Sequence, residues 1–462
     1  TPLHLLLLKD LTCPVAATSG NLTDEPICFD ETEAFERLRG IADLFLVHNR
    51  PIARHVDDSV VRVVDDGLQV LRRARGYAPL PLPLPYSQPP LLAVGGHLKN
   101  SVVRTLDDRA FTGQHIGDLE TLQAERAFHE VIDHLEGLYD APIETVLHDR
   151  HPDYPSTRYA NERPEHRFAV QHHLAHAYAC IGEHRLQGPV TAIAWDGTGY
   201  GRGGTIRGGE VFHVNGSLHR RIAAMRPIPL PGGDRAVREI HRSALGLLFE
   251  MEGPAWSEPF NSVKADRFNR VVTDRNLKAL MTALERRAHV VPSSGVGRQF
   301  DAVAFLLGIA DRAAYEGHAA MQLEWAARRA GGSVPTALTG FDLREQAEDK
   351  PAVLDWEPML RDLVRRRKNT NPETLAQAFH TSLADLIVRV AKWNDCSQIV
   401  LTGGVFQNRL LTETALSTLR EKGFEVYIHR AIPPNDGGIA YGQAVAYSYR
   451  AHAQHEHPKR GA

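Results

Sequence analysis

Thr191-Ala192-Ile193-Ala194-Trp195-Asp196-Gly197-Thr198-Gly199-Tyr200-Gly201 decides the fold class, because an apolar run of strand type breaks there at an aspartate into alternating glycines. The same succession occurs twice more. Leu91–Val94 leads into Gly95-Gly96-His97-Leu98-Lys99-Asn100, and Ile399–Leu401 leads into Thr402-Gly403-Gly404. Three short strands ending in glycine turns, with helical periods between them, predict an α/β fold and no solenoid repeat. Gly199, Gly201 and Gly204 formally satisfy the dinucleotide fingerprint, but Glu210–Val214 continues as a strand where that fingerprint must open a helix.

Upstream, residues 1–78 alternate β-like runs (Val60–Val64, Gln69–Leu71) with a helical stretch around Glu31–Leu44. The chain opens at Thr1 inside an apolar run, which predicts an N-terminal module only partly represented. Residues 79–90 then place proline at nearly every second position, which removes backbone donors and predicts an extended polyproline spacer. The expected organisation is a module over 1–78, a linker over 79–90 and a large α/β domain over 91–462. Downstream, Asn371-Pro372-Glu373 is a helix start: a cap, a first-turn proline and an acid at the positive dipole end.

The histidines are unevenly spread. Seven of the 24 lie between His148 and His184, where even spacing would put about two. His172 and His176 are four apart, so on a helix both imidazoles share a face and can reach one ion, while His173 projects about 100° away. Cys180 continues the same face, leaving a His/His/Cys set and a plain buried thiol both open. Asp196 can hold a cation at a phosphate, and the glycines after it can offer backbone N–H groups or simply close a hairpin. Lys99 follows a glycine turn and suits a phosphate, Asp234 suits a ribose hydroxyl, Gly403–Asn408 can approach a nucleotide, and Asp436 sits on an exposed turn. Each of these also reads as an ordinary turn residue.

Composition excludes several classes. Lys+Arg 53 against Asp+Glu 56 leaves a net charge of −3, without the basic footprint of general nucleic-acid binding. No apolar run approaches the ~18 residues of a membrane span. Four scattered cysteines without C-x-x-C build neither a disulfide framework nor a thiolate zinc site. No signal-like start is present, so the expected compartment is the cytoplasm. Walker A and G-x-S-x-G sequences are absent, which removes P-loop and serine-hydrolase readings.

The order of the motifs is more specific than any one of them. Gly96–Asn100, Val170–His176, Trp195–Gly201, Pro231–Asp234, Arg298-Gln299-Phe300-Asp301-Ala302, Tyr315-Glu316-Gly317, Gly403–Asn408 and Asn435–Gly438 resemble the Kae1-like domain of the hydrogenase-maturation carbamoyltransferases, the HypF family. Ala17–Asn21, Asn49–Ile52, Asp57–Arg62 and Arg72–Pro79 resemble the second half of that family's YrdC-like domain. The resemblance implies an ASKHA (actin/Hsp70-like) duplicated two-lobe domain, preceded by part of a YrdC-like α/β domain. It implies one divalent metal, Fe or Zn, on His172, His176, Asp196 and Asp436, with ligands from both lobes. It implies nucleotide contacts from Lys99, Gly197, Thr198, Gly199, Gly201, Asp234, Gly403, Gly404 and Asn408, and from Ser19 and Asn21 in the N-terminal module. Lys99, His172 and His176 are its catalytic candidates, and ATP or carbamoyl-adenylate its cofactor, with magnesium as a candidate counter-ion. The implied reaction transfers carbamoyl to the C-terminal cysteine of a HypE-like maturation partner, starting from a small-molecule carbamoyl donor. Neither a membrane nor a nucleic acid is expected as a partner. The family's acylphosphatase domain, zinc-finger cysteine pairs and first half of the YrdC-like domain have no counterpart in these residues, so the complete sequence from carbamoyl phosphate is not expected of this chain alone. Competing readings are O-carbamoyl transfer to a small-molecule hydroxyl, threonylcarbamoyl transfer to tRNA, and a non-enzymatic ATP-binding scaffold.

Overall fold

The computed structural model describes residues 2–23, 25–201, 204–254, 260–331, 337–347 and 350–456. In the N-terminal stretch, helices Pro2–Asp10 and Glu31–Arg37 precede an antiparallel hairpin, β1 (Val60–Val64) and β2 (Gly67–Arg72). The second helix stops at Arg37, short of the expected Leu44. Asp65 and Asp66 at the hairpin tip both take positive φ (52° and 54°), the geometry that matches the twist of paired strands.

The proline run is not a spacer. Pro81–Gln88 forms β3, the edge strand of a five-stranded sheet, with Pro81, Leu82 and Pro83 opposite Phe111, Ala110 and Arg109. An edge strand tolerates missing N–H donors on its free side. The leucines supply what a polyproline reading overlooks: Leu82 and Leu84 recur every second residue and are buried, so the run has strand periodicity.

Two sheets repeat one topology. In the first, an antiparallel pair, β4 (Leu91–Ala93) and β5 (Val103–Thr112), is flanked beyond β4 by parallel β6 (Thr145–Asp149) and β7 (His166–Val170). In the second, antiparallel β8 (Pro189–Tyr200) and β9 (Ile206–Asn215) are flanked beyond β8 by parallel β15 (Gln398–Thr402) and β16 (Glu425–Ile428). Beyond β9 the second sheet continues through β10 (Leu218–Met225) to β14 (Ala352–Asp355) and β13 (Asp342–Arg344), while β11 (Ile228–Pro231) and β12 (Val290–Ser293) form a side pair. This is the duplicated two-lobe architecture of the ASKHA fold.

Two helices lie between the lobes. His172–Glu183 crosses Ile439–Glu456 closely enough that a Cβ on Gly442 would stand 1.9 Å from the Ala175 carbonyl oxygen. That backbone-to-backbone approach places the start of the first helix beside the turn that opens the second. The predicted helix start at Asn371 is present: Pro372–Asn394 is capped by Asn371, whose Oδ1 accepts from the Glu373 N–H at 2.9 Å.

Candidate metal centre and nucleotide cleft

Three chain segments converge at this crossing. Gln171 caps the first helix by accepting from the Leu174 N–H at 3.0 Å, which fixes the following turn and stacks His172 and His176 on one face. Register slips between Trp195 and Gly199 in β8, so Asp196 lies in a bulge inside the strand and not at its end, as the apolar pattern suggests. A bulge re-aims a side chain that regular pleating would bury elsewhere. Asp436 arrives on the turn before Ile439, where Asn435 accepts from the Gly437 N–H at 3.0 Å.

One ligand atom from each of His172, His176, Asp196 and Asp436 lies within 4.8 Å of the others. His172 Nε2 is 3.6 Å from Asp196 Oδ2 and 3.5 Å from Asp436 Oδ1, and His176 Nε2 is 3.1 and 3.5 Å from the same atoms. His173 and Cys180 stay outside this group, both fully buried; burial pushes the His173 imidazole well below its ordinary value and the Cys180 thiol well above. A Cβ on Gly199 would stand 2.4 Å from the His173 ring and 2.9 Å from the His172 ring, so glycine is required for the strand to pass the histidines.

The electrostatics favour charge in the metal-free site. Burial would depress both imidazoles, yet Asp436, Asp149 and Asp196 hold His172 well above its ordinary range, and Asp196 and Asp436 raise His176. Reciprocally, against the burial that would raise them, the two imidazoles keep Asp196 and Asp436 well below the carboxylate range. Paired carboxylates and imidazoles aimed at one point, three of them buried and Asp436 partly so, fit a divalent transition ion, which replaces the imidazole protons. His172 Nε2 and the outer His176 Nδ1 are buried without a hydrogen-bond partner among the described residues.

Asp149 escaped the sequence reading. It ends buried strand β6 and accepts from His172 Nδ1 at 2.9 Å, which leaves the Nε2 lone pair facing the centre. A carboxylate at the carboxyl end of an apolar strand is the signal that could have found it. Beside it, His97, Tyr154 and His151 stack in sequence, with ring centroids 5.2 and 4.0 Å apart. His151 also tilts against Tyr200, with ring centroids 4.7 Å apart, which joins this stack to β8.

The nucleotide candidates divide. Lys99 enters the cleft in a left-handed turn (φ 46°) and pairs across it with Glu316; burial opposes its charge, but Glu316 and then Asp436 hold its pKa at about 12. Gly197 and Thr198 lie in the bulge, while the Gly201 N–H bonds the Thr205 carbonyl at 2.9 Å and turns the hairpin. Arg202 and Gly203 lie outside the described residues. Gly403 takes φ 97°, and a Cβ there would stand 2.2 Å from the Trp195 carbonyl oxygen; one on Gly404 would stand 2.9 Å from Asp196 Oδ1. Asn408 spends its side chain on the helix it caps, accepting from the Leu411 N–H at 3.0 Å, and on His380 Nε2 at 2.9 Å. Asp234 is exposed on the turn after β11, outside the quartet. Ser19 is exposed in the N-terminal stretch, where Asn21 donates to the Leu22 and Glu25 carbonyls.

Residues 192–443, more than half of the chain, match the family described as Carbamoyltransferase, Kae1-like Domain, second subdomain. This chain belongs to the HypF carbamoyltransferase family. Residues 86–183 match the HypF Kae1-like domain, and residues 1–74 match the Sua5/YciO/YrdC family, described as Telomere recombination. Carbamoyltransferase HypF of Synechocystis sp. is 40% identical over 96% of this chain and 58% of its own length. A HypF homolog of Cupriavidus necator is 31% identical over 79% of this chain and 92% of its own. A full-length HypF crystallised in its phosphate- and nucleotide-bound form superposes with a TM-score of 0.88 at 36% identity, covering 97% of this chain and 69% of that one. The chain thus spans somewhat over half the length of the longer HypF proteins. Among the described residues, no helix is long and apolar enough to cross a membrane.

Proposed function

We propose that this chain transfers a carbamoyl group from carbamoyl-adenylate to the C-terminal cysteine thiol of a HypE-like maturation partner, toward the cyanide ligand of nickel–iron hydrogenase. The observation that carries the reading is the convergence of His172, His176, Asp196 and the partly buried Asp436, with the charged Lys99 beside them. Iron or zinc bound by these four residues would supply Lewis-acid stabilisation of the anionic leaving group.

The thiolate sulfur attacks the carbamoyl carbon, an S–C bond forms, the C–O bond to the adenylate phosphate breaks, and AMP leaves with the electron pair. Lys99 stays protonated through the neutral range and exchanges Glu316 for a phosphate oxygen. Backbone N–H groups of the 403–404 turn donate to the same phosphates, the 197–201 glycines let those phosphates approach the strand, since the Gly197 and Gly201 N–H groups are already bonded, and Asp234 holds the ribose. Asn408 serves through the turn it fixes, since its amide is already bonded. Asp149 keeps His172 in the tautomer whose Nε2 is free. Ser19 and Asn21 are assigned to a second nucleotide contact, in the module that handles ATP, its magnesium and the carbamoyl donor. A thiol acceptor requires a reducing compartment, which places the reaction in the cytoplasm.

Metal analysis of the purified chain, with a transfer assay using synthetic carbamoyl-adenylate and a cysteine-ended peptide, tests this. We expect about one iron or zinc per chain and an S-carbamoylated peptide, with both lost in His172→Ala. Absence of metal, or unchanged transfer in that variant, overturns the metal assignment. Acceptance by a sugar hydroxyl or by tRNA, with the peptide inert, overturns the thiol acceptor.

A further inference from the structure

We infer that the β1–β2 hairpin of the N-terminal module is a positioning element of the metal centre, so that how this module docks is read at the transfer site. The inference rests on the quartet being a metal site and adds a control over it.

The hairpin packs as a strap of polar bonds. Its outward residues Val60, Val61, Val63 and Leu68 are exposed, and of its apolar side chains Val64 and Val70 are buried. The polar bonds converge on the turns that carry or brace the ligands. The Leu71 carbonyl accepts from Asn435 Nδ2 at 3.0 Å, and Asn435 immediately precedes Asp436. Asn435 Nδ2 also donates to Gln407 Oε1 at 2.9 Å, and Arg62 Nη1 donates to the Gln407 carbonyl at 2.9 Å while its Nη2 pairs with buried Glu324 at 3.0 Å. Arg62 and Leu71 thereby brace together the 403–408 turn, which touches Asp196, and the 433–438 turn, which carries Asp436.

A second line runs to the histidine helix. Gln69 Nε2 donates to the His429 carbonyl at 3.2 Å, His429 Nε2 lies 2.7 Å from Thr402 Oγ1, and that hydroxyl donates to the His176 carbonyl at 2.9 Å. Between the two lines, the Val70 N–H bonds the Arg430 carbonyl at 2.8 Å and Arg430 Nη1 bonds the Val64 carbonyl at 2.7 Å. Two ligand-bearing elements, the His172–Glu183 helix and the 433–438 turn, are thus referenced to one hairpin outside both lobes. Val64 packs the hairpin onto the core and Val70 is buried as well, and the polar bonds add what packing does not supply, ending within one residue of Asp436 and on the main chain of His176.

The test uses the full chain loaded with cobalt(II), whose ligand-field absorption reports the geometry of the four donors. Arg62→Ala/Gln69→Ala is expected to weaken cobalt binding about tenfold, the scale of losing groups that orient metal ligands, and to shift the absorption bands. Leu68→Ala, at an outward, 56% exposed position of the same hairpin, is expected to leave both unchanged. Hydrogen exchange over residues 60–72 verifies that the double variant has loosened the hairpin. A loosened hairpin with wild-type spectrum and affinity overturns the inference. If the wild type takes up no cobalt, the metal reading fails by itself; the coupling then stands or falls on exchange over 403–408 and 433–438, which must accelerate in the double variant and not in Leu68→Ala.

Discussion

Around His172, Asp196 and Asp436, ionisable side chains are sealed from water, while in residues 2–59 leucines stand in it. Asp149, His173 and His176 are 0% exposed. Leu5 and Leu46 are 74% exposed and Leu44 is 90%, and among the described residues of that stretch His55 alone is buried. The two regions invert the usual partition in opposite directions. The difference teaches that residue type fixes what burial costs or yields, but available partners decide whether it happens. Each buried charge of the quartet faces an opposite charge or a hydrogen bond, and without that complement burial costs several kcal/mol per ion. The leucines of the N-terminal stretch meet no described apolar surface large enough to cover them.

The sharpest break of the comparison is to remove one charge from the sealed side. Asp196→Ala deletes a proposed ligand and the partner of two raised imidazoles, and is expected to abolish stoichiometric metal, as read by elemental analysis after dialysis. Retention of metal would mean the quartet is a structural ion-pair cluster. Gly403→Ala attacks the same region sterically. With φ at 97° and a new Cβ 2.2 Å from the Trp195 carbonyl, the cost is roughly 3 kcal/mol of strain and overpacking, measured by urea unfolding. Asp149→Asn is milder, because the ring keeps its place but loses an anionic acceptor. Metal affinity should fall about 10–100-fold with little change in stability, and an unchanged affinity would remove Asp149 from the site.

pH sharpens the contrast without mutation. His172 and His176 titrate above the ordinary value of 6.5, so in metal-free protein their stabilisation is complete below that pH and lost as pH rises through the folded values. Asp196 and Asp436 titrate below 3.8, so their contribution is complete above that pH and lost as it falls. Chelator-treated protein should therefore melt highest between about pH 4 and 6.5. Added zinc should raise the melting temperature more at pH 8 than at pH 6, because binding expels the imidazole protons. A zinc effect independent of pH would contradict ligation by these two histidines.

Much of the sealed region was legible because local rules govern it. Four-residue spacing puts His172 and His176 on one face whatever surrounds the helix, and three strand–glycine turns announce the α/β lobes. What was not legible depends on contacts between segments distant in sequence. Asp149 meets His172 only because β6 and β7 pair in parallel, and the bulge at Asp196 arises from the register of β8 against β9. The prolines of β3 read as a spacer because their missing donors outweighed the alternating leucines. In the structure the opposite weighting holds, since an edge strand needs donors on one side alone.

The smallest expected effect lies in the open region, and it tests the comparison from its other side. Leu44→Ser replaces a side chain that is 90% exposed. Transfer of apolar surface contributes to stability only in proportion to the area hidden from water, so this substitution removes almost none. Stability by urea unfolding should move by less than about 0.5 kcal/mol. Ile193→Ala, in an interior strand of the second sheet and 0% exposed, should cost about 2–5 kcal/mol for a change of similar chemistry. Should Leu44→Ser instead destabilise by more than 1 kcal/mol, on the scale of an average point mutation, then Leu44 is covered in solution, and the inversion in residues 2–59 would belong to the isolated chain and not to its working form.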